Sequence, residues 1–442
     1  MSGQNSVIGI SPSGSRSELF WTVWTVWAAL AAFGAYFCMY AFRKPFTAAT
    51  YEGSVYWGHD FKTTLVISQV FGYILSKFLG IRVVSEIHPH RRALWVLWLV
   101  LMAEGALVLF GLIPRPWNLI CLFLNGLPLG MVFGMVMGLL EGRRMTEALT
   151  SGLCASFILA DGVTKSVGAA ILAAGVSEEW MPALAGAIFL IPLAISVAML
   201  SQVPRPSSRD ISARSERVIM DRNERSSFLR RYLPGVAMIV LIYLSVTVLR
   251  SLRADFATEI WKGLGVAAQP ETFSRSEIWV AVGVLMANGL MVTIRDNRVA
   301  FFSSLGICAL GICLLFAALL LRTTPGVSPF AFMVLLGLGL YLPYVAIHTT
   351  VFERWLAMTR DRGTTGFLMY VVDSIGYLGY VTVMIGRQCL PRTDDMLGLL
   401  LNASWITVGI SAVCLLGSWR YFQAIANREA SRLPCSAVVE TP

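Results

Sequence analysis

The sequence predicts an all-α polytopic membrane protein with twelve transmembrane helices in two pseudo-symmetric six-helix bundles. One observation is composition: of the 442 residues, 56% are hydrophobic and only 14% are charged, too little charge to cover a water-soluble domain of this size. A second is that apolar stretches of roughly 20 residues, the length that spans a bilayer, recur along nearly the whole chain. A third is that polar motifs of the first half recur in the second half.

The apolar runs set the predicted spans. Runs such as 94–112 and 301–321 lack the alternation of a barrel strand. Helices are therefore predicted, because each segment in a bilayer must satisfy its own backbone hydrogen bonds. The predicted spans are 20–42, 62–84, 93–112, 117–140, 147–174, 180–201, 232–252, 276–294, 300–321, 328–352, 363–386 and 396–420.

Lys and Arg concentrate in alternate connections, which by the positive-inside rule places both termini in the cytoplasm. Topology thus explains the net charge of +9, so no nucleic-acid partner is predicted. We expect the protein to lie in the cell (inner) membrane. The longest polar interruption is Arg-rich and is interpreted as a solvated linker, although a partner or anionic lipid stays open as its ligand. The predicted organisation is a polar cytoplasmic N-terminus (1–19), an N-terminal bundle (20–203), the linker (204–231), a C-terminal bundle (232–420) and a cytoplasmic tail (421–442).

The two halves repeat one another at a nearly constant offset. Residues 42–46 (FRKPF) match 252–256 (LRADF), each at the end of the first span of a half. The same register aligns Lys77 with Asn288, Gly126 with Gly337, Glu141 with Glu353, and Asp161 with Asp373. A duplication of this kind is typical of transporters whose substrate site lies between two rocking halves.

Several cations fall inside or at the ends of predicted spans. Even on mild scales a charge at the bilayer centre costs about 2.5–3.5 kcal/mol, so such residues are functional candidates. Arg43 and Lys44 end the first span, Lys77 lies in the second, and Arg250 and Arg253 end the seventh. Converging from both halves, they would bind an anion with the geometry of phosphate or carboxylate. The alternative is that Arg43 and Lys44 only snorkel to the membrane interface.

Three segments carry a family resemblance: YAFRKPFTAA (40–49), GYILSKFLG (72–80) and VLRSLRAD (248–255). In order and spacing they resemble spans one, two and seven of the organophosphate:phosphate antiporter branch of the major facilitator superfamily. The resemblance implies that Arg43 and Arg250 match the paired arginines that hold the substrate phosphate, with Lys77 nearby. The chain departs from that family at Asp161, where the family carries a substrate-contacting His, so we expect a divergent relative whose substrate can differ.

Two aspartates are candidates for coupling. Asp161 and Asp373 occupy equivalent positions in spans five and eleven, followed one turn later by Lys165 and Tyr377. A carboxylate in a low dielectric can change charge as access alternates, and Lys165 could neutralise Asp161 on the same helix face. A pair that only fixes helix packing is the alternative.

Other candidates line the cavity or its cytoplasmic end. Glu104, alone in span three, is a possible proton carrier or a partner of Arg43 or Lys77, whereas His348 is either a cavity residue or a satisfied core histidine. Acid and arginine pairs at the cytoplasmic ends of spans four and ten are interpreted as a gate, with capped helix ends as the alternative. These gate residues are Glu141, Arg143, Glu353 and Arg354.

Together these features predict a monomeric secondary transporter that moves a small organic anion, such as a phosphorylated metabolite, by exchange or proton coupling. No cofactor is predicted, since no phosphate-binding P-loop is present, and no metal site, since His88 and His90 lack further ligands. Two rivals stay open. One is a transporter-like solute sensor, and the other is a membrane-embedded enzyme, disfavoured because His is sparse and no catalytic motif is recognised.

Overall fold

A computed structural model describes residues 13–88, 91–140, 146–203, 222–267, 269–322, 324, 326–359, 365–388 and 395–432. The first half contains six long helices. Asp60 caps the second of them, accepting a hydrogen bond from the backbone N–H of Thr63 at 2.8 Å, a common N-cap arrangement. The helices are α1 (Ser13–Tyr40), α2 (Phe61–Glu86), α3 (Arg92–Leu112), α4 (Leu119–Leu140), α5 (Thr146–Ala173) and α6 (Met181–Ser201).

Between α1 and α2 the chain forms a 3-10 turn, Pro45–Ala48, and a short hairpin of strands β1 (Val55–Tyr56) and β2 (His59–Asp60). These elements lie where α1 ends and α2 begins. We call this end of the molecule the hairpin end, defined by residues 44–62.

The second half repeats the six long helices with added short elements. They are α7 (Arg222–Asp255), α8 (Ala257–Gly263), α9 (Pro270–Val292), α10 (Asn297–Leu321), α11 (Pro329–Ala346), α12 (Phe352–Thr359), α13 (Thr365–Gln388) and α14 (Met396–Arg432). The helix α7 begins ten residues before the predicted span, inside the segment interpreted as linker. A π-helical turn, Ile347–Val351, divides the predicted tenth span between α11 and α12.

The predicted fold class is confirmed. In the first half α1 packs on α4, α5 and α6, and α2 lies along α4; in the second half α7 packs on α11, α13 and α14, and α10 lies along α11. Among the described residues the most extensive contacts between the halves are those of α5 with α9 and of α2 with α13, and smaller ones join α5 to the π-helical turn and α8 to the 3-10 turn. The proposed boundary residues of the domains stay a prediction.

The helices have the composition of an integral membrane protein. Within the described residues, ten helical segments are long and apolar enough to cross a membrane. The helices α9 and α13 are not among them, and they hold the places of the eighth and eleventh predicted spans. Each carries a buried carboxylate in its interior, Glu277 and Asp373. The two long helices of the described chain that lack such an apolar window therefore lie at the contact between the bundles.

Small residues let α2 and α4 approach closely. A Cβ atom on Gly126 would lie 2.2 Å from the Gln69 carbonyl oxygen, and one on Gly130 would lie 2.7 Å from the Cβ of Ser76. The backbones cannot keep this distance if a methyl group is added.

Replacing Gly126 by alanine should therefore lower the free energy of unfolding by about 1–3 kcal/mol, the usual cost of overpacking. The control is Gly306→Ala in α10, where a Cβ meets nothing within 4 Å. There alanine should stabilise the helix by about 0.5–1 kcal/mol. Melting temperatures of the two purified variants in detergent check the pair, and equal shifts in the same direction would contradict the close-packing argument.

Candidate functional site

Arg43 lies buried in the turn that follows α1, and its guanidinium packs over an aromatic face. Its Cζ atom is 4.1 Å from the ring centroid of Tyr73, and the residue is only 4% exposed. Among the described residues no carboxylate lies within ion-pair distance, and the buried Nε atom has no hydrogen-bond partner. Arg43 therefore carries a positive charge that the described protein does not neutralise.

Arg250 on α7 has the same kind of environment on the other bundle. Its Cζ atom lies 4.4 Å from the ring centroid of Tyr344, and the residue is 5% exposed. Its Nη2 atom is 3.5 Å from the hydroxyl of Tyr377, while its buried Nε atom has no hydrogen-bond partner in the described part of the chain. Within the described ranges Arg250 also has no carboxylate partner.

The two arginines meet at one tyrosine. Tyr377 on α13 lies 5.8 Å from the Cζ atom of Arg43, and its hydroxyl is the group near Arg250. Its ring makes an edge contact with Tyr73 at 5.1 Å, so the two aromatic platforms are continuous across the bundles. A cation over an aromatic face is attracted by the ring, an interaction worth about 2 kcal/mol when desolvated. The rings thus hold both guanidiniums in place without neutralising their positive charges.

Lys77 on α2 is paired across the bundles. Its Nζ atom lies 2.7 Å from Oδ2 of Asp373, one turn before Tyr377 on α13. The other oxygen of Asp373 accepts a hydrogen bond from Tyr243 and lies 4.0 Å from Nδ1 of His348. The four groups form one buried cluster, which we call the Asp373 cluster.

Lys44 takes part in a second buried network. It pairs with Asp255, the last residue of α7, and lies 3.9 Å from Asp161. Asp161 is held at 2.6 Å by Lys165, the partner that the sequence placed one turn later on the same face of α5. The second oxygen of Asp255 accepts a hydrogen bond from Tyr380 at 2.9 Å. Lys44 thus points into the protein between the bundles, and it does not snorkel to headgroups.

Arg253 is neutralised within its own bundle. Its Nη1 atom lies 2.7 Å from the carboxylate of Glu277 on α9, and Nη2 donates a hydrogen bond to the carbonyl of Met333. Of the five cations that the sequence places at the site, the described structure leaves only Arg43 and Arg250 without a carboxylate.

Comparison with solved structures identifies the fold. A crystal structure of a D-xylose-proton symporter superposes with a TM-score of 0.58 at 13% identity, covering 89% of this chain and 96% of that one. The xylose transporter XylE from E. coli in an inward-open conformation gives 0.55 at 12% identity, covering 89% and 94%. Its partially occluded form gives 0.54 at 11%, covering 90% and 96%. The fold is that of the major facilitator transporters.

At the level of sequence, residues 45–424 match the model of a family of unknown function, DUF5690. The chain belongs to DUF5690. No curated protein sequence matches the chain significantly. The matched range includes all of the buried ionisable residues described above except Arg43 and Lys44, which immediately precede it.

In this DUF5690 protein Glu104 lies apart from the two arginines. Its carboxylate sits between α3 and α6, where a Cβ atom on Gly186 would lie 2.2 Å from Oε2. That oxygen is buried and has no hydrogen-bond partner among the described residues. Arg43 and Lys77 have other surroundings, so neither is the partner of Glu104 in this conformation.

The predicted gate falls partly outside the described residues. Glu141 and Arg143 lie there, whereas Glu353 and Arg354 belong to α12. Arg354 donates a hydrogen bond to the side chain of Asn297, at the start of α10, over 3.0 Å. This pair of the DUF5690 chain links α12 to α10, and the gate itself stays a prediction.

Sequence reasoning did not single out the carboxylates Asp255 and Glu277 or the aromatic platforms. Two signals could have found some of them: Asp255 stands in the quoted motif VLRSLRAD, and the spacing of Tyr341, Tyr344 and His348 puts these side chains on one face of span ten. Within the described parts of this DUF5690 protein, no group of three or more His, Cys, Asp or Glu is placed to hold a metal ion.

Proposed function

We propose that this protein is a secondary active transporter that carries a small organic anion by alternating access, with phosphorylated metabolites first among the candidates. The observation that carries the proposal is the pair of buried guanidiniums, Arg43 and Arg250, that face one tyrosine and have no carboxylate partner among the described residues. Buried charges are normally paired because desolvation costs several kcal/mol per ion. A pair of unneutralised arginines between two bundles is accounted for if an anion completes the site.

The charge balance around the site favours a divalent anion. Among the described residues near the bundle contact, apart from the Lys62–Glu259 pair of the hairpin end, the buried cations exceed the buried carboxylates by two. The cations are Arg43, Lys44, Lys77, Lys165, Arg250 and Arg253, and the carboxylates are Asp161, Asp255, Glu277 and Asp373. A phosphomonoester, which carries about −1.5 to −2 at pH 7, would neutralise this excess. Its oxygens also suit the planar fork of a guanidinium.

Contacts at the hairpin end support alternation between two access states. Buried Lys62 pairs with Glu259 of α8, and the exposed pair Lys262 and Glu52 lies at 2.9 Å. Further along the same end, Arg387 donates to the hydroxyl of Thr63 at 3.2 Å. All of these join the two bundles. Opening the site toward this end requires their separation, whereas the central guanidiniums can remain where they are.

The structural neighbours are named as xylose transporters, and the charge of the site favours an organic anion over a neutral sugar as the substrate of this chain. A neutral sugar would form hydrogen bonds with the arginines but would leave two buried positive charges uncompensated. Anions should therefore bind and D-xylose should not.

A thermal-shift series on the purified protein tests the proposal with four probes: inorganic phosphate, glucose 6-phosphate, succinate and D-xylose. We expect an anion to raise the melting temperature, since a ligand at 100 times its Kd stabilises by about 2.7 kcal/mol. D-Xylose is the matched uncharged probe. Protection by D-xylose with none from the three anions would overturn the proposal. Uptake of the protecting anion into proteoliposomes then separates a carrier from a solute sensor.

A further inference from the structure

The Asp373 cluster lies beside the proposed anion site and is connected to it through shared aromatic rings. The ring of Tyr73 that carries Arg43 at 4.1 Å also has the Nζ atom of Lys77 at 5.2 Å. The same ammonium is 5.9 Å from the ring of Tyr377, whose hydroxyl approaches Arg250. An anion between the two guanidiniums therefore lies close enough to attract Lys77.

Lys77 is the cation that keeps Asp373 charged. Asp373 is 5% exposed, and its nearest ion-pair partner among the described residues is the ammonium of Lys77 at 2.7 Å. Tyr243 donates a hydrogen bond to the same carboxylate, and His348 lies 4.0 Å away. The titratable and charged groups facing Asp373 are Tyr73 and Lys77 from α2, Cys154 from α5, Tyr243 from α7, Tyr344 from α11, His348 from the π-helical turn, and Tyr377 from α13 itself.

In an inference that rests on the proposed function, we propose that Asp373 is the proton-binding site of the carrier. The anion and a proton enter together, because the anion competes with Asp373 for Lys77. When Lys77 turns toward the anion, Asp373 stays buried without a lysine. One neutral hydrogen bond from Tyr243 does not offset the desolvation of a carboxylate, so the carboxylate takes up a proton.

The position of His348 fits this role. It stands in the π-helical turn Ile347–Val351, a local irregularity that is frequently found at functional sites. Its ring stacks on Tyr344 and contacts Phe133 of the other bundle, while Nδ1 lies 3.4 Å from the Tyr243 hydroxyl. The turn therefore brings the imidazole of His348, a second titratable group, close to both the carboxylate of Asp373 and the hydroxyl of Tyr243.

The competition has a consequence that needs no ligand. In the variant Lys77→Met the cation is absent, so Asp373 should be protonated in the resting protein. Infrared spectroscopy of the purified variant should show the carbonyl stretch of a neutral carboxylic acid, and this band should vanish in Lys77→Met/Asp373→Asn. A Lys77→Met variant without the band, or with a band that survives the second substitution, would overturn the assignment of the proton to Asp373.

The coupled event is measured with glucose 6-phosphate in weakly buffered detergent solution at pH 8. The ester, whose second pKa is about 6, is then fully ionised before it binds. Wild-type protein should take up a proton with each bound anion, and Asp373→Asn should still bind but take up none. The matched control, Asp296→Asn at the exposed cap of α10, should behave as wild type. Binding without proton uptake would refute the coupling and leave the anion carrier intact, whereas absence of anion binding would refute the proposed function itself.

Discussion

Arg250→Met should strongly weaken anion binding and, without ligand, raise the melting temperature. Two charge-assisted hydrogen bonds are lost, and each is worth about 1.5–3 kcal/mol, so binding should fall roughly 100-fold or more. In the free protein the substitution removes a buried charge that has no carboxylate partner among the residues the structure describes, and the desolvation of that charge destabilises the folded state. Opposite signs for binding and stability are the signature of a residue kept for its ligand.

Two further variants sharpen this test. Arg250→Lys keeps the charge but loses the planar fork and its stacking on Tyr344, so binding should weaken by at least about tenfold. Arg322→Met, at the exposed end of α10, is the matched control and should change neither quantity. Arg250→Met protein that binds anions as wild type does, or that is destabilised like a variant with a broken ion pair, would remove Arg250 from the binding site.

Replacing Glu277 by alanine should be strongly destabilising, in contrast to the loss of Arg250. The side chain of Arg253 is only 1% exposed, and its ion pair with Glu277 at 2.7 Å neutralises it. Removing one member of a buried pair leaves an uncompensated charge and costs about 3–5 kcal/mol. The melting temperature of the purified variant checks this expectation.

The double variant Arg253→Met/Glu277→Leu is the informative comparison, because apolar replacement of a whole buried pair is often neutral. It should recover most of the stability lost in Glu277→Ala. The matched control Glu271→Ala, in the exposed first turn of the same helix, should cost at most about 1 kcal/mol. A double variant as unstable as Glu277→Ala would mean that packing, and not the unpaired charge, determines the loss.

The helices were predictable because a bilayer permits few structures. Each span needs about 20 apolar residues, and the observed helices begin and end near the predicted bounds wherever a charged or turn-forming segment interrupts the apolar run. The π-helical turn and the short helix α8 were not predicted, since both depend on tertiary contacts that leave no period in the sequence.

The ionisable residues show where sequence reasoning ends. The sequence located the buried cations, because a charge in an apolar run is visible without coordinates. The sequence does not show which of these cations a carboxylate neutralises, because the pairing depends on how the helices that carry the charged residues are rotated about their axes. Asp161 and Asp373 occupy equivalent positions, yet one pairs with Lys165 on its own helix and the other with Lys77 across the bundles.

The aromatic platforms show the same limit. Tyr73 and Tyr344 lie on spans two and ten, and neither spacing nor composition indicates that each supports a guanidinium from another helix. Their role follows from the approach of the turn after α1 to α2 and of α7 to α11, which is a property of the folded bundles.

The most direct measurement is an experimental structure determined with saturating glucose 6-phosphate. The account predicts phosphate density within hydrogen-bonding distance of both guanidiniums, Arg43 and Arg250, beside the hydroxyl of Tyr377. A ligand bound elsewhere, an empty site at saturation, or arginines turned onto carboxylates of the protein would contradict it.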